Sequence, residues 1–526
     1  MSNLLKFKTV SKLLPTVLCR QTSTDCVPPL KGLVLGIFER DHTSLDDSPI
    51  LTNHAVQFDE KNEGQLLKIV KEGGKIQGKL GECNTFHNLG NQFGAVSLVG
   101  LGRKDAGYND IECLMENLEN VRYGSALGFR ALFEQGVEEI VMDSMGYSEQ
   151  AAEGSMLASW KCQENKMESN RKCIPKLSLF DTAEIDGWND GIFKAEVQNH
   201  ARLLCDLPSN QVTPTDFAAA ALEVLGPCGV KVEVRNLDWI EKHNMFGFLS
   251  IARSSCEPPL FMEITHCGGA PDEKPILLIG EGITFNTGGL CLRDTHKLQQ
   301  GRSTMAGAAC VLSTLRAMSA LSVPINITAL IPLCENMASG LATKPGDVIK
   351  FSNGKSIVIT DTSKAGVLLL ADTLLYGQQH YEPKLIIDVA TLGDGMNKVV
   401  GGGATGIFTN CNDLFDQMKK AGALTGDRVW HMPLWDYYVK NISSCKTVDL
   451  SNKGCGKGHS CLAAAFLKNF IISAEWIHMD IRGVGMRSKN SNIPYLTNGR
   501  MTGRPTRTII QFLLQRVNPD KYKTAC

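Results

Sequence analysis

The sequence predicts an α/β protein of two domains, a smaller N-terminal one and a larger C-terminal one. Three observations carry this expectation. The chain has 526 residues, more than one hydrophobic core normally organises. Short apolar runs alternate with helical stretches along its length, the pattern of an α/β layer. In the second half, runs such as ILLIG (276–280) and LIIDVA (385–390) are almost continuously apolar. Strands of that kind belong to a sheet buried on both faces.

Taken in order, residues 32–39, 95–102 and 137–144 read as strands and 117–136 as an amphipathic helix. A polar stretch from Cys162 to Lys176 follows, and a helix over Phe193–Cys205 connects to the second half. The boundary is placed near residue 190, giving domains over 28–190 and 191–526. Turn residues at 207–213 lead into a helix capped near Thr215. Strands are then expected at 230–236, 259–266, 274–285, 326–336, 355–362, 383–392 and 405–410. Helices are expected at 305–321, 367–380, 463–471 and 504–516. No internal repeat or low-complexity segment breaks the pattern.

Composition excludes several function classes. Hydrophobic residues make up 43% and charged residues 21%, an ordinary globular profile. The 54 basic and 55 acidic residues leave a net charge of −1, so no electrostatic footprint for nucleic acid or an anionic membrane is present. No apolar run reaches the ~18 residues of a membrane span. The 18 cysteines run from Cys19 to Cys526 without a C-x-x-C pair, which points to reduced thiols in a reducing compartment. The first 27 residues carry Lys6, Lys8, Lys12 and Arg20, have no acid before Asp25, and place leucines and valines near a helical period. That is the pattern of a mitochondrial transit segment; the alternative is a cytoplasmic protein with an N-terminus folded back on its domain.

The motifs lie in the second half. They include P-S-N-Q-V-T-P-T-D-F-A (208–218), G-E-G-I-T-F-N-T-G-G-L (280–290), M-A-G-A-A (305–309), K-P-G-D-V-I (344–349), D-V-A-T-L (388–392), A-A-A-F-L-K (463–468) and T-G-R-P-T-R-T (502–508). Residues 360–372 read T-D-T-S-K-A-G-V-L-L-L-A-D. In order and spacing these stretches resemble the M17 leucyl aminopeptidases, whose signature loop is N-T-D-A-E-G-R-L-x-L-A-D. The resemblance covers about 206–514, and the N-terminal half carries it far more weakly. It implies a C-terminal domain of M17 peptidase type around a mixed sheet, and a hexamer of two trimers. It also implies a metallo-aminopeptidase with two divalent ions, Zn, Mn or Mg, bridged by carboxylates. Such a pair polarises the scissile carbonyl and acidifies a bound water.

At the positions where the family carries its chemistry, this chain differs. The resemblance aligns Glu281 with a ligand lysine, and Asn286 and Thr304 with ligand aspartates. Ser363 and Ala365 align with the aspartate and glutamate of the signature loop. Arg293 stands for the catalytic lysine and Val367 for the catalytic arginine. Asn286, Thr304 and Ser363 keep a neutral oxygen, Ala365 keeps no donor, and Glu281 reverses a charge. Val367 offers no hydrogen bond to an anion, and Arg293 cannot readily release a proton. Loss of one transition-state donor costs ~10²–10³ in rate; loss of the ions removes the nucleophile.

The expectation is therefore a catalytically inactive M17-type protein with no bound metal cofactor and a structural or assembly role. It is similar in this to the leucylaminopeptidase-type proteins of insect sperm. Self-association is expected, as a homohexamer or as a mixed hexamer with paralogues. Two alternatives stay open. One is a weak aminopeptidase, or one with altered chemistry through Glu281, Arg293 and Asp361, with a metal site rebuilt from Glu281, Asp294 and Asp361 as a separate option. The other is a peptide-binding regulator of active paralogues. Glu281 paired with Arg293 is the simpler expectation for these charges. His296, His431 and His478 lack H-x-x-H spacing and are expected in core or surface roles. The glycine runs 401–406 and 454–458 lack the phosphate-loop pattern and read as loops.

Overall fold

The computed structural model describes residues 30–39, 50–73, 76–89, 92–486 and 492–522. The transit-like segment over 1–27 lies outside them. Among the described residues no helix is long and apolar enough to cross a membrane.

In the N-terminal part, the central strand β1 (Lys31–Phe38) is apolar and buried along most of its length. It is followed by β2 (Cys83–His87), β3 (Ala95–Gly100), β4 (Glu139–Met142) and β5 (Lys176–Leu179), in the sheet order β2-β3-β1-β4-β5. β1 pairs in parallel with β3 and β4, and β2 closes one edge antiparallel. Parallel neighbours need crossover helices. Two are α1 (Glu116–Glu134) and α2 (Ser148–Ser159), which pack on one another. α1 matches the expected 117–136. The small-residue helix α2 has too weak an apolar stripe to announce itself.

The helix α3 (Ile185–Asp206) spans the expected boundary at residue 190 as one continuous rod. α4 (Pro214–Leu225) begins with a capping box between Thr213 and Asp216, two residues before the expected Thr215. Asp216 completes the pair of caps, and proline at the first helical position suits the start.

The C-terminal sheet contains β6 (Lys231–Arg235), β7 (Leu260–Cys267), β8 (Ile276–Gly280), β9 (Gly282–Asn286), β10 (Asn326–Asn336), β11 (Leu385–Ala390), β12 (Thr405–Thr409), β13 (Val429–His431) and β14 (Glu475–Asp480). Their order is β13-β12-β14-β11-β8-β10-β7-β6, with β9 alongside β10. β10, β8, β11 and β14 run parallel; β7 and β6 pair antiparallel with their neighbours, and β12 pairs antiparallel with β14 but in parallel with β13. The sheet is mixed, as the resemblance implied.

Double-sided burial is visible residue by residue. Ile276 and Leu278 enter one core, together with α3, α4, α6 (Ala306–Ala320) and the last helix, α9 (Thr506–Val517). Leu277 and Ile279 enter a second core with α5 (Phe246–Ala252), α7 (Ala365–Tyr381) and α8 (His459–Lys468). The alternation is the two-residue period of a strand. The run 274–285 forms two strands rather than one, because the chain breaks its pairing at Glu281. The central strand β14 went unread in the sequence; its polar residues His478 and Asp480 interrupt the apolar run although both are fully buried. His478 Nδ1 and Trp476 Nε1 share the carboxylate of Asp388 on β11.

Two motifs owe their composition to packing. Gly307, within M-A-G-A-A, lies so close to β11 that an added Cβ would stand 1.9 Å from the Val389 carbonyl oxygen. Asp372, ending L-L-A-D, accepts a hydrogen bond from the Phe248 amide at 2.9 Å and so holds α5. Fourteen described cysteines are free, of which Cys205, Cys310, Cys334 and Cys461 are buried. Cys173 is disulfide-bonded, a departure from a wholly reduced set.

A buried ion network joins the two sheets. Arg122 Nε of α1 donates to Glu153 of α2 at 2.5 Å, and Arg507 Nη1 of α9 donates to the same oxygen at 2.9 Å. All three side chains are about 2% exposed. Burial pushes the Glu153 carboxyl up, but Arg507 and Arg122 outweigh it and hold it down at about 2. Arg202 of α3 adds bonds to the carbonyls of Leu157, Tyr495 and Thr502.

Glu153→Ala leaves two guanidiniums buried without their shared anion. It is expected to lower unfolding stability by about 3–5 kcal/mol, read as a fall in the urea midpoint. Burial raises the Asp372 carboxyl to about 8, above the ~3.9 of an unfolded chain. The folded state then holds a proton that the unfolded state has lost. The contribution of this group to stability is fullest below pH ~4 and declines toward pH 8, by at most about 1.4 kcal/mol per pH unit. Asp372→Asn removes this decline, so its melting temperature gains on that of the parent between pH 5 and pH 8.

Candidate functional site

The candidate site lies at the carboxyl ends of β8, β9, β11 and β14, the edge where open parallel sheets bind ligands. Each strand end contributes one of the singled-out positions or a neighbour of it. Glu281 follows β8, Asn286 ends β9, Thr391 and Asp394 follow β11, and Arg482 follows β14. The signature loop enters from the side and starts α7 at Ala365.

Glu281 is 2% exposed. Its backbone is clamped between the Val389 carbonyl and the Ala308 amide, each at 3.1 Å. Its carboxylate accepts from Thr391, from N at 2.7 Å and from Oγ1 at 3.0 Å. Burial raises it to about 7, and the Thr391 bonds hold it from rising further. Gly366 is required opposite: a Cβ there would meet Glu281 Oε1 at 2.2 Å. The direct Glu281–Arg293 pair expected from sequence is absent; the two interact through space, with Thr391 as the bonded partner.

Asn286 Oδ1 accepts from Gly288 N at 2.9 Å and Asn336 Nδ2 at 3.0 Å. Asn336 Nδ2 also reaches the Thr362 carbonyl, and Thr362 Oγ1 donates to the Gly288 carbonyl at 2.6 Å. These bonds stitch the loop after β9 to the signature loop. Thr304 Oγ1 donates to the Gly301 carbonyl at 3.0 Å. Ser363 Oγ donates to Asp361 at 2.6 Å, and the other oxygen of Asp361 faces Lys453 Nζ at 3.1 Å. Ala365 and Val367, 2% and 1% exposed, pack in the second core. Ala365, Thr362, Asn336 and Gly289 line a cavity of 10 Å³, near the lower limit for one water molecule.

The alternative carboxylate set does not converge. Asp294 is exposed and paired with Lys297 at 3.1 Å, while Glu281 and Asp361 turn to separate partners. Among the described residues no three His, Cys, Asp or Glu side chains form a group able to hold a metal ion. His296 and His431 are exposed, His431 stacking on Phe415 at 4.4 Å. His478 is a core residue.

Sequence reading missed two cations. Lys364 stands where the signature pattern has alanine, and its Nζ lies over the loop after β11, 3.2 Å from where a Cβ on Gly393 would be. Arg482 pairs with Asp394 at 3.1 Å. The alanine-to-lysine change in the loop was a legible signal for the first. The second follows the strand that went unread.

With this geometry in hand, comparisons place the chain. The description "Cytosol aminopeptidase family, catalytic domain" matches residues 199–510, and "Cytosol aminopeptidase family, N-terminal domain" matches 34–169. The chain is 40% identical over 496 residues to the cytosol aminopeptidase of Sus scrofa, covering 93% of this chain and 94% of that protein. It is 40% identical over 490 residues to that of Homo sapiens, covering 92% of each, and 34% identical over 510 residues to that of Dictyostelium discoideum, covering 94% and 95%. A solved structure, "Bottromycin maturation enzyme BotP in complex with Mn", superposes with a TM-score of 0.78 at 23% identity, covering 93% of this chain and 100% of that one, and so shares the fold. The chain belongs to the cytosol aminopeptidase family.

Proposed function

We propose that this chain is a catalytically inactive member of its family with a structural or assembly role. The observation that carries the reading is the donor set at the strand ends. Two divalent ions need several anionic oxygens around them. Asn286, Thr304 and Ser363 offer neutral oxygens already engaged in internal hydrogen bonds. Ala365 and Val367 are buried apolar residues. Glu281, the one carboxylate among the five ligand positions, is bonded to Thr391, and burial pushes its carboxyl up to about 7. Coordination would break these bonds and still leave most of the ionic charge uncompensated. The residues present do not fit a metal pair, and no hydrolytic step is derived through one.

The scaffold favours assembly. Leu237, Phe246 and Val348, all exposed, border a groove of 790 Å³ on the second domain. Trp435 and Tyr437 are each 65% exposed. Exposed apolar surface of this kind marks interaction sites and supports self-association; the hexamer, of this chain alone or mixed with paralogues, rests on the family resemblance. The basic, acid-poor first 27 residues support a mitochondrial location. A weak or altered metal-dependent aminopeptidase is the second reading, favoured by the names of the relatives that are 40% identical.

Purified protein is expected to leave leucine amide and leucyl dipeptides unhydrolysed with added Mn or Zn, and to hold less than one divalent ion per ten chains by elemental analysis. Metal-dependent turnover above a blank refutes the reading. Light scattering is expected to give six copies of the 57.3 kDa chain, about 344 kDa; a monomer refutes the assembly role.

A further inference from the structure

At the surface of the second core, two histidines come together from elements far apart in sequence. His243 caps the carboxyl end of the short helix Leu237–Lys242, and His380 lies in the last turn of α7. Their ring centres are 6.0 Å apart, with the planes tilted by 56°. His380 is exposed and His243 half-buried, so solvent reaches the pair.

Each ring is held in one tautomer and one place. Nδ1 of His243 faces the Trp239 carbonyl at 2.8 Å, and Nδ1 of His380 faces the Tyr376 carbonyl at 3.0 Å. A carbonyl oxygen only accepts, so both Nδ1 atoms carry a proton and donate it. The lone pair of each neutral imidazole is then on Nε2, which has no hydrogen-bond partner among the described residues in either ring. Packing fixes the rings. His243 stacks on Trp239 at 3.8 Å, His380 stacks on Tyr376 at 4.0 Å, and Tyr376 meets Trp239 and His243 edge-on. The Tyr376 hydroxyl is anchored in turn to the buried Glu263.

An imidazole that donates Nδ1–H to a backbone carbonyl and keeps Nε2 open is in the form that ligates metals. The spacing agrees. An ion ~2.0–2.1 Å from each Nε2 lies about 3.2 Å from each ring centre, so two rings share it only when their centres are within about 6.4 Å. The observed 6.0 Å meets that limit.

We propose that His243 and His380 form a surface site for one borderline transition-metal dication, zinc or copper, with water completing the shell. Imidazole without a carboxylate favours these ions over the harder manganese and magnesium. Two protein ligands are fewer than the three or four of a catalytic or structural zinc site, so the ion exchanges readily and is lost on purification. When bound, it ties the helix Leu237–Lys242 to the end of α7. The site is separate from the strand-end donors and does not depend on whether they are active.

The test is titration calorimetry of the full chain with Zn²⁺ and, separately, with Cu²⁺, in a buffer that does not ligate metals. Saturable binding of about one ion per chain is expected. Zinc is also expected to raise the melting temperature, since it binds the folded state. His243→Gln and His380→Gln are each expected to weaken binding at least about tenfold and to abolish the rise in melting temperature, with unchanged circular dichroism. His431→Gln removes an exposed imidazole at the opposite edge of the sheet and is expected to leave both readouts as they are. Electron paramagnetic resonance of the copper-loaded parent is expected to show hyperfine splitting from two imidazole nitrogens. The proposal is overturned if neither ion binds saturably, if binding survives either substitution of the pair unchanged, or if the copper spectrum shows no nitrogen ligation.

Discussion

Burial of β8 and β11 on both faces is the constraint from which the rest of the molecule follows. Alternate side chains of Ile276–Gly280 and Leu385–Ala390 feed two separate cores. Helices must therefore cover both sides, and polar chemistry is excluded from the middle of the sheet. What remains for function is the carboxyl edge, where the strands end and the loops turn. Glu281, Asn286, Thr391 and Arg482 meet there because four strands end there, although they are far apart in sequence. The fold places a site at that edge whatever residues occupy it.

That separation explains why framework and site can diverge. Gly307 is held by contact with the Val389 carbonyl, and Asp372 by the amide it caps. Arg507 is held by an anion shared across the domain junction. None of these contacts involves a side chain at the strand-end ligand positions. A chain can keep every motif that builds the sheet and change every residue at its edge without losing the fold. The substituted edge is itself well satisfied. Asn286 and Thr362 knit two loops together, and Val367 adds to a core. The replacements are consistent with packing and hydrogen bonding as the forces now acting there.

The electrostatic character of the edge has also changed. The family pattern places carboxylates where metal would sit, so the protein part of that site is anionic. Here the uncompensated groups are Arg293 and Lys364.

Much of this was legible from residues alone. Apolar runs located β8, β10 and β11, because strands buried on both faces carry a dense signal. The M-A-G-A-A and T-G-R-P-T-R-T stretches located α6 and α9. The strand β14 was not legible, since His478 and Asp480 look like loop residues until Asp388 and its neighbours are seen around them. The helix α2, rich in alanine and serine, was equally quiet. Local pattern determined the two-domain α/β class and the candidate positions, because period and donor type are properties of the chain itself. Tertiary structure alone decided that Glu281 bonds Thr391 rather than Arg293, and that Lys364 and Arg482 gather at one edge. Such partners are chosen by the convergence of distant strand ends, which no local spacing encodes.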